Sequence, residues 1–551
     1  MSRYPPDAGE SPSGHNGVVL VVTVVLSAFL VVSALTALRP SRRGFFAILA
    51  WPVGWAAGEL PAHAIGWQAL ILVVQWWWSW PTELGRDVLL TVATMSVSAN
   101  LALIGVQLRA PAVVRRQLEK SPRAPLRVPT HREDRFGNWW RTALQWSFHP
   151  RTLHLRHNVA YGPAPRHRLD VWRLPTTPAG APVMLYVHGG SWIFGDKSEM
   201  GRPMLHEMVS RGWVAVSINY RLAPSHPWPS QIEDAFLALA WIKRHIAVHG
   251  GDPDRIVVAG GSAGGHLAAL LALTADTSPW RPPVAVTDWS VRGCVTFYGV
   301  LEMTGDETYW RGLGQGLRHL LENQVVQVPV DGNEDMYRGM SPLHQISVNA
   351  PPFLVVQGAA DTLVDRDVAR GFVERFRAVS PAPCYYVELP LTQHTFDLTA
   401  SPRTSATTRA VVAFAEAVAA PRPSLTPALL DAYQSPPTEV VVDVEGDDVS
   451  PVELARREGP FVILTADNPY SRVLSDDENN RRRSELHDLL HRHALIHRPT
   501  LARDPAGLFP SEKGFAIWGL AEDSVAAWAR AFDQHAVYEV NPDGLVVRAA
   551  R

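Results

Sequence analysis

The sequence predicts three structural parts: a membrane region of helices, an α/β domain whose mostly parallel sheet is flanked by helices, and a small α+β domain. Three observations lead to this prediction. Uncharged apolar runs lie within residues 18–109, short apolar strands alternate with helical segments in residues 151–420, and strand-like runs return in residues 438–551 after a proline-containing linker at 421–437. Alternating strands and helices are typical of a parallel sheet.

The composition limits the classes of function. The 551 residues include 51 Lys and Arg against 53 Asp and Glu, which gives a formal net charge of −2. The chain therefore lacks the positive field that attracts nucleic acid, and we expect no nucleic-acid partner. The two cysteines, Cys294 and Cys384, lie in apolar strand-like runs, where buried free thiols are expected rather than a disulfide framework. We expect neither a cofactor nor a bound metal.

Two uncharged runs are long enough to cross a bilayer. Residues 18–38, which follow a short tail at 1–17, and residues 88–108 each have about 21 residues, enough for a hydrocarbon core of about 30 Å. A cleaved signal peptide is the weaker alternative for the first run, because that run exceeds the usual length of an apolar signal core. In the second run we expect Asn100 and Gln107 to face a neighbouring helix.

The stretch between these runs, residues 45–81, is apolar but interrupted by prolines and by Glu59 and His63. We interpret it as one span plus an interfacial segment, which gives about three transmembrane helices in total. Glu59 and His63 are four residues apart, a spacing that suits a polar pair on one helical face. The stretch ends in four tryptophans, Trp76, Trp77, Trp78 and Trp80. A bare membrane anchor is the simplest role for this region, and lipid binding or substrate delivery is the alternative.

Basic residues predict the orientation. Arg39, Arg42 and Arg43 follow the first span, and five Lys and Arg residues between 109 and 123 follow the last span, where a basic, amphipathic connector at residues 110–150 begins. Because positive residues are enriched on the cytoplasmic side, the loop after the first span and the loop after the last span should both be cytoplasmic. An even number of spans must therefore separate these two loops. The sequence therefore predicts an integral protein of the cell membrane with an outer tryptophan belt and a cytoplasmic catalytic domain.

A G-x-S-x-G motif at residues 260–264 marks the candidate nucleophile, Ser262. It follows the apolar strand at 255–259 and precedes the helical run at 266–273. Small neighbours allow the sharp strand-to-helix turn that exposes such a serine. The helix N-terminus behind it favours the negative charge that develops during acyl transfer.

A second glycine-rich loop, HGGSW, lies about 70 residues upstream at a strand end. Its glycines can direct backbone N–H groups at an oxyanion. Gly189, Gly190 and Ala263, the residue after the nucleophile, are the candidate donors. His188 and His266 are expected to have structural roles.

The acid and base candidates follow two later strands. Asp361 lies on the loop after the strand at 353–357, and His394 lies on the loop after the next strand. Asp361 would hold the tautomer of His394, which would act as the general base. Asp365 and Asp367 are the alternative acids, although they have the character of an exposed helix start.

The chain order Ser, Asp, His and the HGGxW loop resemble the α/β-hydrolase esterase/lipase family, in the branch that includes kynurenine formamidase-like and hormone-sensitive-lipase-related esterases. The strings LDVW (169–172), NYRLAP (219–224), GDPDRI (251–256) and APPFL (350–354) share this resemblance. It implies the α/β-hydrolase fold and cleavage of carboxylic esters by a Ser-Asp-His triad. One departure is Ser191, which replaces the third glycine of the common HGGG loop. Residues 302–340 form a candidate cap.

Several functions remain open. The membrane tether suggests a small-molecule or lipid acyl ester as substrate, whereas amide or formamide hydrolysis and acyl transfer use the same machinery. A catalytically silent scaffold that recruits partners to the membrane is the alternative from another class. The last 115 or so residues resemble a small uncharacterised family. Their polar residues Asp467, Asn468, Asn479 and Arg481 form either a site or a set of solvated loop residues.

Overall fold

A computed structural model describes residues 12–41, 44–77, 82–121, 125–128, 154–311, 314–422, 439–504 and 510–550. Most of the predicted connector at 110–150, nearly all of the linker at 421–437, and the predicted belt residues Trp78 and Trp80 lie outside these residues. Cys294 and Cys384 are buried free thiols, as the sequence predicts.

The described residues of the N-terminal region form five helices: α1 (Pro12–Leu38), α2 (Gly44–Glu59), α3 (Pro61–Trp77), α4 (Glu83–Leu108) and α5 (Ala110–Glu119). Among the described residues, two helices, Gly17–Leu38 and Glu83–Glu119, are long and apolar enough to cross a membrane. Helices α2 and α3 meet at an angle of 84° and provide a third span if that bent pair counts as one.

Side-chain contacts give the directions of the helices in this bundle. Gln68 of α3 donates to Ser27 of α1 (2.9 Å), and Thr23 donates to Gln75 (2.9 Å), so α1 and α3 are antiparallel. Leu103, near the end of α4, packs with Ala37, near the end of α1. The C-terminal ends of α1 and α4 therefore lie at the same end of the bundle.

The expected pairing of Glu59 with His63 is wrong. Glu59 ends α2, and a new helix begins at Pro61, so the two residues do not share one helical face. Proline is tolerated at the first position of a helix because its missing N–H would have no intrahelical partner there. Glu59 instead forms an ion pair with Arg403 (2.6 Å). Gln107 donates to the Gly58 carbonyl (2.6 Å) and faces a neighbouring helix, as expected, whereas Asn100 donates within its own helix, to the Ser96 carbonyl.

An eight-stranded sheet follows in the order β1-β2-β4-β3-β5-β6-β7-β8. Its strands are β1 (His154–Ala160), β2 (Arg168–Arg173), β3 (Ala181–Val187), β4 (Val214–Ile218), β5 (Gly251–Gly261), β6 (Gly293–Phe297), β7 (Phe353–Gly358) and β8 (Cys384–Leu389). Strand β2 is antiparallel to both neighbours, and β4, β3 and β5 to β8 are parallel. The predicted fold class is thus confirmed.

Helices cover both faces of this sheet. They are α6 (Arg202–Ser210), α7 (Ser230–His245), α8 (Ala263–Thr274), α9 (Gly314–Leu320), α10 (Glu334–Met340), α11 (Arg366–Val379) and α12 (Pro402–Val418). Successive strand residues point to opposite faces, so Leu185 packs in one core cluster and Met184 in the other. The candidate cap at 302–340 contains α9 and α10. Its residues Trp310, Leu321 and Tyr337 pack in the same core cluster as Leu185.

A second, antiparallel sheet forms the C-terminal part, in the order β10-β9-β12-β13-β11-β14-β15. Its strands are β9 (Glu439–Val444), β10 (Asp447–Val449), β11 (Phe461–Thr465), β12 (His497–Arg503), β13 (Glu512–Ile517), β14 (Ala536–Asn541) and β15 (Gly544–Ala549). Helices α13 (Pro451–Glu458), α14 (Asp476–Arg492) and α15 (Val525–Ala531) complete it.

The polar cluster predicted in this part includes a different arginine. Asn468 and Asn479 are hydrogen-bonded to each other, and Asp467 pairs with Arg483. Arg481 instead pairs with Glu478 in solvent. The reason is helical geometry, because positions 479 and 483 of α14 are one turn apart on one face, whereas 481 points elsewhere.

Candidate active site

Ser262 lies between β5 and α8 with φ 55° and ψ −123°. This conformation suits the strained turn that presents a nucleophile. Its glycine neighbours are required by close backbone contacts: a Cβ on Gly264 would lie 2.1 Å from the Val187 carbonyl oxygen, and a Cβ on Gly260 would lie 2.3 Å from the Gly264 carbonyl oxygen. The turn therefore brings Ser262 beside the loop that follows β3.

Asp361 and His394 come together as the sequence predicts. His394 Nδ1 lies 2.7 Å from Asp361 Oδ2, and both side chains are buried. The other carboxylate oxygen accepts the backbone N–H groups of Leu363 (2.8 Å) and Val364 (2.9 Å). Since Asp361 then accepts from His394 Nδ1–H, Nε2 of the imidazole is left as the basic nitrogen.

The alternative acids have other partners. Asp365 caps α11 and accepts the N–H of Asp367 (3.1 Å), while Asp367 pairs with Arg311 and Arg370. Among the described residues, no hydrogen bond joins Ser262 to His394. Such catalytic hydrogen bonds often form only when substrate is bound.

Two further residues at the site, Tyr298 and Asp397, belong to no sequence motif that would indicate their position. The Tyr298 ring lies 4.5 Å from the His394 ring, centroid to centroid, and a Cβ on Gly261 would lie 3.0 Å from the Tyr298 hydroxyl. Tyr298 is thus a common neighbour of the serine turn and the histidine. Its hydroxyl donates to Asp397, and burial raises the pKa of that carboxyl. Asp397 follows His394 by three residues, which is the only sequence signal for its position.

The three candidate oxyanion donors lie around the serine turn. A Cβ on Gly189 would lie 3.2 Å from Ser262 Cβ, so this glycine borders the candidate nucleophile. Its N–H donates to the Met200 sulfur (3.3 Å), a weak acceptor. In the described part of the chain, neither Gly190 N–H nor Ala263 N–H has an acceptor. All three N–H groups can therefore donate to a developing oxyanion without breaking a strong hydrogen bond.

Gly190 provides a test of this loop. It has φ +112°, and a Cβ there would lie 2.1 Å from the Phe194 carbonyl oxygen. Gly190→Ala should therefore displace the loop and lower kcat for a soluble ester by about 10²- to 10³-fold, the range for loss of one oxyanion donor. The matched control is Gly180→Ala, because Gly180 also has positive φ (+75°) but has no atom near its Cβ position. Equal kcat values for the two variants would contradict this role.

Two buried histidines support the same loop. Trp192 Nε1 donates to His266 Nδ1 (3.2 Å), and His266 Nε2 lies 2.8 Å from the Met340 carbonyl oxygen, so the ring links the loop to the cap. His188 Nδ1 lies 2.6 Å from the Gly189 carbonyl oxygen of the same loop, and the His188 ring stacks on the ring of Tyr220. Burial lowers the pKa of each histidine to about 4.

The pKa of His266 predicts a loss of stability in acid. Because it falls from 6.5 to about 4 on folding, the unfolded chain takes up a proton first as the pH drops through 6.5. The stability contributed by neutral His266 is complete above that pH and is lost towards pH 4, a change of about 3 kcal/mol. Urea unfolding should show a smaller loss between pH 7.5 and pH 5 for His266→Gln than for wild type. An identical loss would contradict the prediction.

The sheet order and the strand–serine–helix turn define the chain as an α/β-hydrolase. A family model described as BD-FAE matches residues 169–376, and one described as a protein of unknown function (DUF3293) matches residues 464–537. A Mycobacterium tuberculosis (strain ATCC 25618 / H37Rv) protein, "Probable carboxylic ester hydrolase LipM", is 35% identical over an alignment of 407 residues that covers 71% of this chain and 92% of the relative. The chain therefore belongs to this family of carboxylic ester hydrolases and is an enzyme of that class.

Further similar proteins are also esterases. "Esterase LipC" of the same organism is 41% identical over 270 residues, 48% of this chain and 66% of that protein. Among solved structures, esterase B from Lactobacillus rhamnosis (HN001) is 20% identical, with a TM-score of 0.42, and the match covers 51% of this chain and 91% of that one.

Proposed function

We propose that the enzyme is a multi-pass membrane esterase that cleaves carboxylic esters through an acyl-enzyme on Ser262. The hydrogen bond between His394 Nδ1 and Asp361 Oδ2 (2.7 Å) is the observation that carries this proposal. It leaves the basic nitrogen of a buried imidazole available to a serine that the strand-to-helix turn presents.

The reaction has two halves. His394 Nε2 takes the Ser262 proton as Oγ bonds to the ester carbonyl carbon, and the resulting oxyanion receives the N–H groups of Gly189, Gly190 and Ala263. The tetrahedral intermediate then expels the alcohol, which takes the proton from His394. In the second half, His394 takes a proton from water as the water oxygen bonds to the acyl carbon. The second intermediate expels Ser262 Oγ, which takes that proton from His394, and the carboxylic acid is released.

The substrate is proposed to be an amphiphilic acyl ester, small or lipid, that partitions into the bilayer. The support is the position of the catalytic domain at the bundle end where α1 and α4 finish, next to apolar side chains that face away from protein, such as Ile48 and Leu49. Arg39 and Arg109 follow those two helices. By the positive-inside rule, this end, and with it the catalytic domain, is cytoplasmic.

Labelling with a fluorophosphonate probe tests the mechanism. Peptide mass spectrometry of the labelled full-length protein should locate the adduct on Ser262. A folded wild-type protein that takes up no label, or takes it up on another residue, would contradict the proposal.

A series of model substrates tests the substrate class. With the purified protein in liposomes, activity should rise with acyl-chain length in p-nitrophenyl esters, and the matching anilides and formanilides should react far more slowly. Preference for an amide or for transfer to an added alcohol would assign the same site to amidase or acyltransferase chemistry.

Protease accessibility tests the orientation. A tag at the C-terminus should resist protease in intact cells and be removed in inverted vesicles. Removal in intact cells would place the catalytic domain outside.

A further inference from the structure

One face of α2 lies against the catalytic domain. The residues that make these contacts recur at helical spacing: Ala47, Trp51, Gly54, Trp55 and Gly58. Outside this face, Ile48 and Leu49 are 58% and 48% exposed. Helix α2 therefore lies between the catalytic domain and the surface that an apolar environment would cover.

Two tryptophans of α2 hold the loop that carries His394. Trp51 Nε1 donates to the His394 carbonyl oxygen and to Thr395 Oγ1, at 3.2 Å each, and Trp55 Nε1 donates to the Thr395 carbonyl oxygen (3.0 Å). Thr395 Oγ1 in turn donates to the His394 carbonyl oxygen (2.7 Å). The backbone of the proposed general base is thus fixed by donors from the membrane region.

The same helix contacts the loop that carries Asp361. Thr362, the next residue, donates its hydroxyl to the Ala47 carbonyl oxygen (2.9 Å). Gln393 joins the two loops, because its Oε1 accepts the N–H groups of Thr362 (3.2 Å) and His394 (3.3 Å). Gly54 leaves room for this side chain, since a Cβ there would lie 3.3 Å from Gln393 Nε2. Helix α2 therefore contacts both loops and the residue between them.

A buried ion pair fixes the end of α2. Arg403 of α12 donates to Glu59 Oε1 (2.6 Å) and to the Gly58 carbonyl oxygen (2.9 Å), and both charged side chains are only 1% exposed. Two buried, paired charges resist separation, because moving one away leaves the other uncompensated. Movement of α2 relative to α12 is accordingly unfavourable.

We propose that α2 is a positioning element of the active site, with Trp51 and Trp55 as positioning residues that act through His394. This inference rests on the proposed triad. Triad geometry must be held within a fraction of an ångström, and misplacement by about 1 Å can lower the rate about 100-fold. The membrane region is then part of the catalytic unit as well as its anchor.

The test removes the two indole N–H donors and keeps aromatic rings. In full-length protein in detergent micelles, the Trp51→Phe/Trp55→Phe variant should lower kcat for p-nitrophenyl butyrate and the rate of fluorophosphonate labelling about tenfold, with KM changed less than about twofold. Trp67→Phe is the matched control, because Trp67 of α3 is 61% exposed and away from this interface. It should leave kcat and KM unchanged.

A second pair of variants, at Thr395, tests the positioning role of α2 if the double variant does not fold. Thr395→Val removes one of the two links between Trp51 and His394, the one through the Thr395 hydroxyl, and should lower kcat, whereas Thr395→Ser keeps that hydroxyl and should have kcat close to wild type. Wild-type kcat in the folded double variant, or in Thr395→Val, would overturn the inference. A wild-type protein that is not labelled on Ser262 would instead contradict the proposed triad, so the two failures are distinguishable.

Discussion

Replacing Ser262 with alanine is expected to lower kcat for a soluble ester by about 10⁶-fold, the loss seen when a triad serine is removed from a serine protease. The remaining groups still bind the ester, but no side-chain oxygen is positioned to bond to its carbonyl carbon, and only slow attack by water remains. Alanine also lacks the side-chain bulk that would disturb the turn, so the melting temperature should change little. Steady-state assays and thermal unfolding of full-length protein in detergent measure both quantities.

Ser210→Ala is the matched control for this variant. Ser210 is exposed at the end of α6, where its hydroxyl donates to the Glu207 carbonyl oxygen of the same helix (2.7 Å). Its removal should leave kcat unchanged. If Ser262→Ala keeps a substantial fraction of wild-type kcat, another nucleophile carries the reaction.

The catalytic domain could be predicted from the sequence because its signals are local. Each candidate residue follows an apolar strand, and the carboxyl ends of parallel strands meet at one edge of a sheet. The glycines around Ser262 are likewise a local pattern, required by contacts as short as 2.1 Å. The fold class and the meeting of Asp361 with His394 therefore agree with prediction, while the catalytic roles of these residues stay predictions.

The docking of α2 could not be predicted, because it joins segments far apart in the chain. Trp51 and the His394 carbonyl are separated by 343 residues, and no periodicity within α2 indicates which surface it will cover. The error at Glu59 has a different origin. Pro61 is a local signal for a new helix, which outweighs the four-residue spacing of Glu59 and His63, and the partner of Glu59, Arg403, lies in another domain.

The position of Tyr298 and Asp397 next to His394 could not be predicted from the sequence either. Tyrosine at a strand end and aspartate in a loop are common residues with many structural roles, and only packing brings this pair behind His394. Their contact adds a second buried carboxyl near the imidazole. The hydrogen bond to His394 Nδ1, however, belongs to Asp361.

Asp361→Asn should lower kcat by about 10⁴-fold, because it changes the tautomer of His394. The oxygen that accepts the N–H groups of Leu363 and Val364 must remain an oxygen. The asparagine amide then faces His394 Nδ1 and donates to it, so the imidazole proton moves to Nε2, which can no longer accept the serine proton. Soluble-ester kinetics measure the effect, and KM should change little.

The neighbouring glutamine permits this rearrangement. Gln357 Nε2 donates to Asp361 Oδ2 (3.1 Å), while its Oε1 is buried without a hydrogen-bond partner. Rotation of the Gln357 amide would turn that oxygen to the new asparagine N–H, but it would also break the hydrogen bond from Gln357 Nε2 to the Val364 carbonyl oxygen (3.1 Å), so Asp361→Asn should fold with lower stability than wild type. Asp367→Asn is the matched control, since Asp367 pairs with Arg311 and Arg370 on the surface of α11. A large loss in Asp367→Asn with none in Asp361→Asn would move the acid role to the other carboxylate.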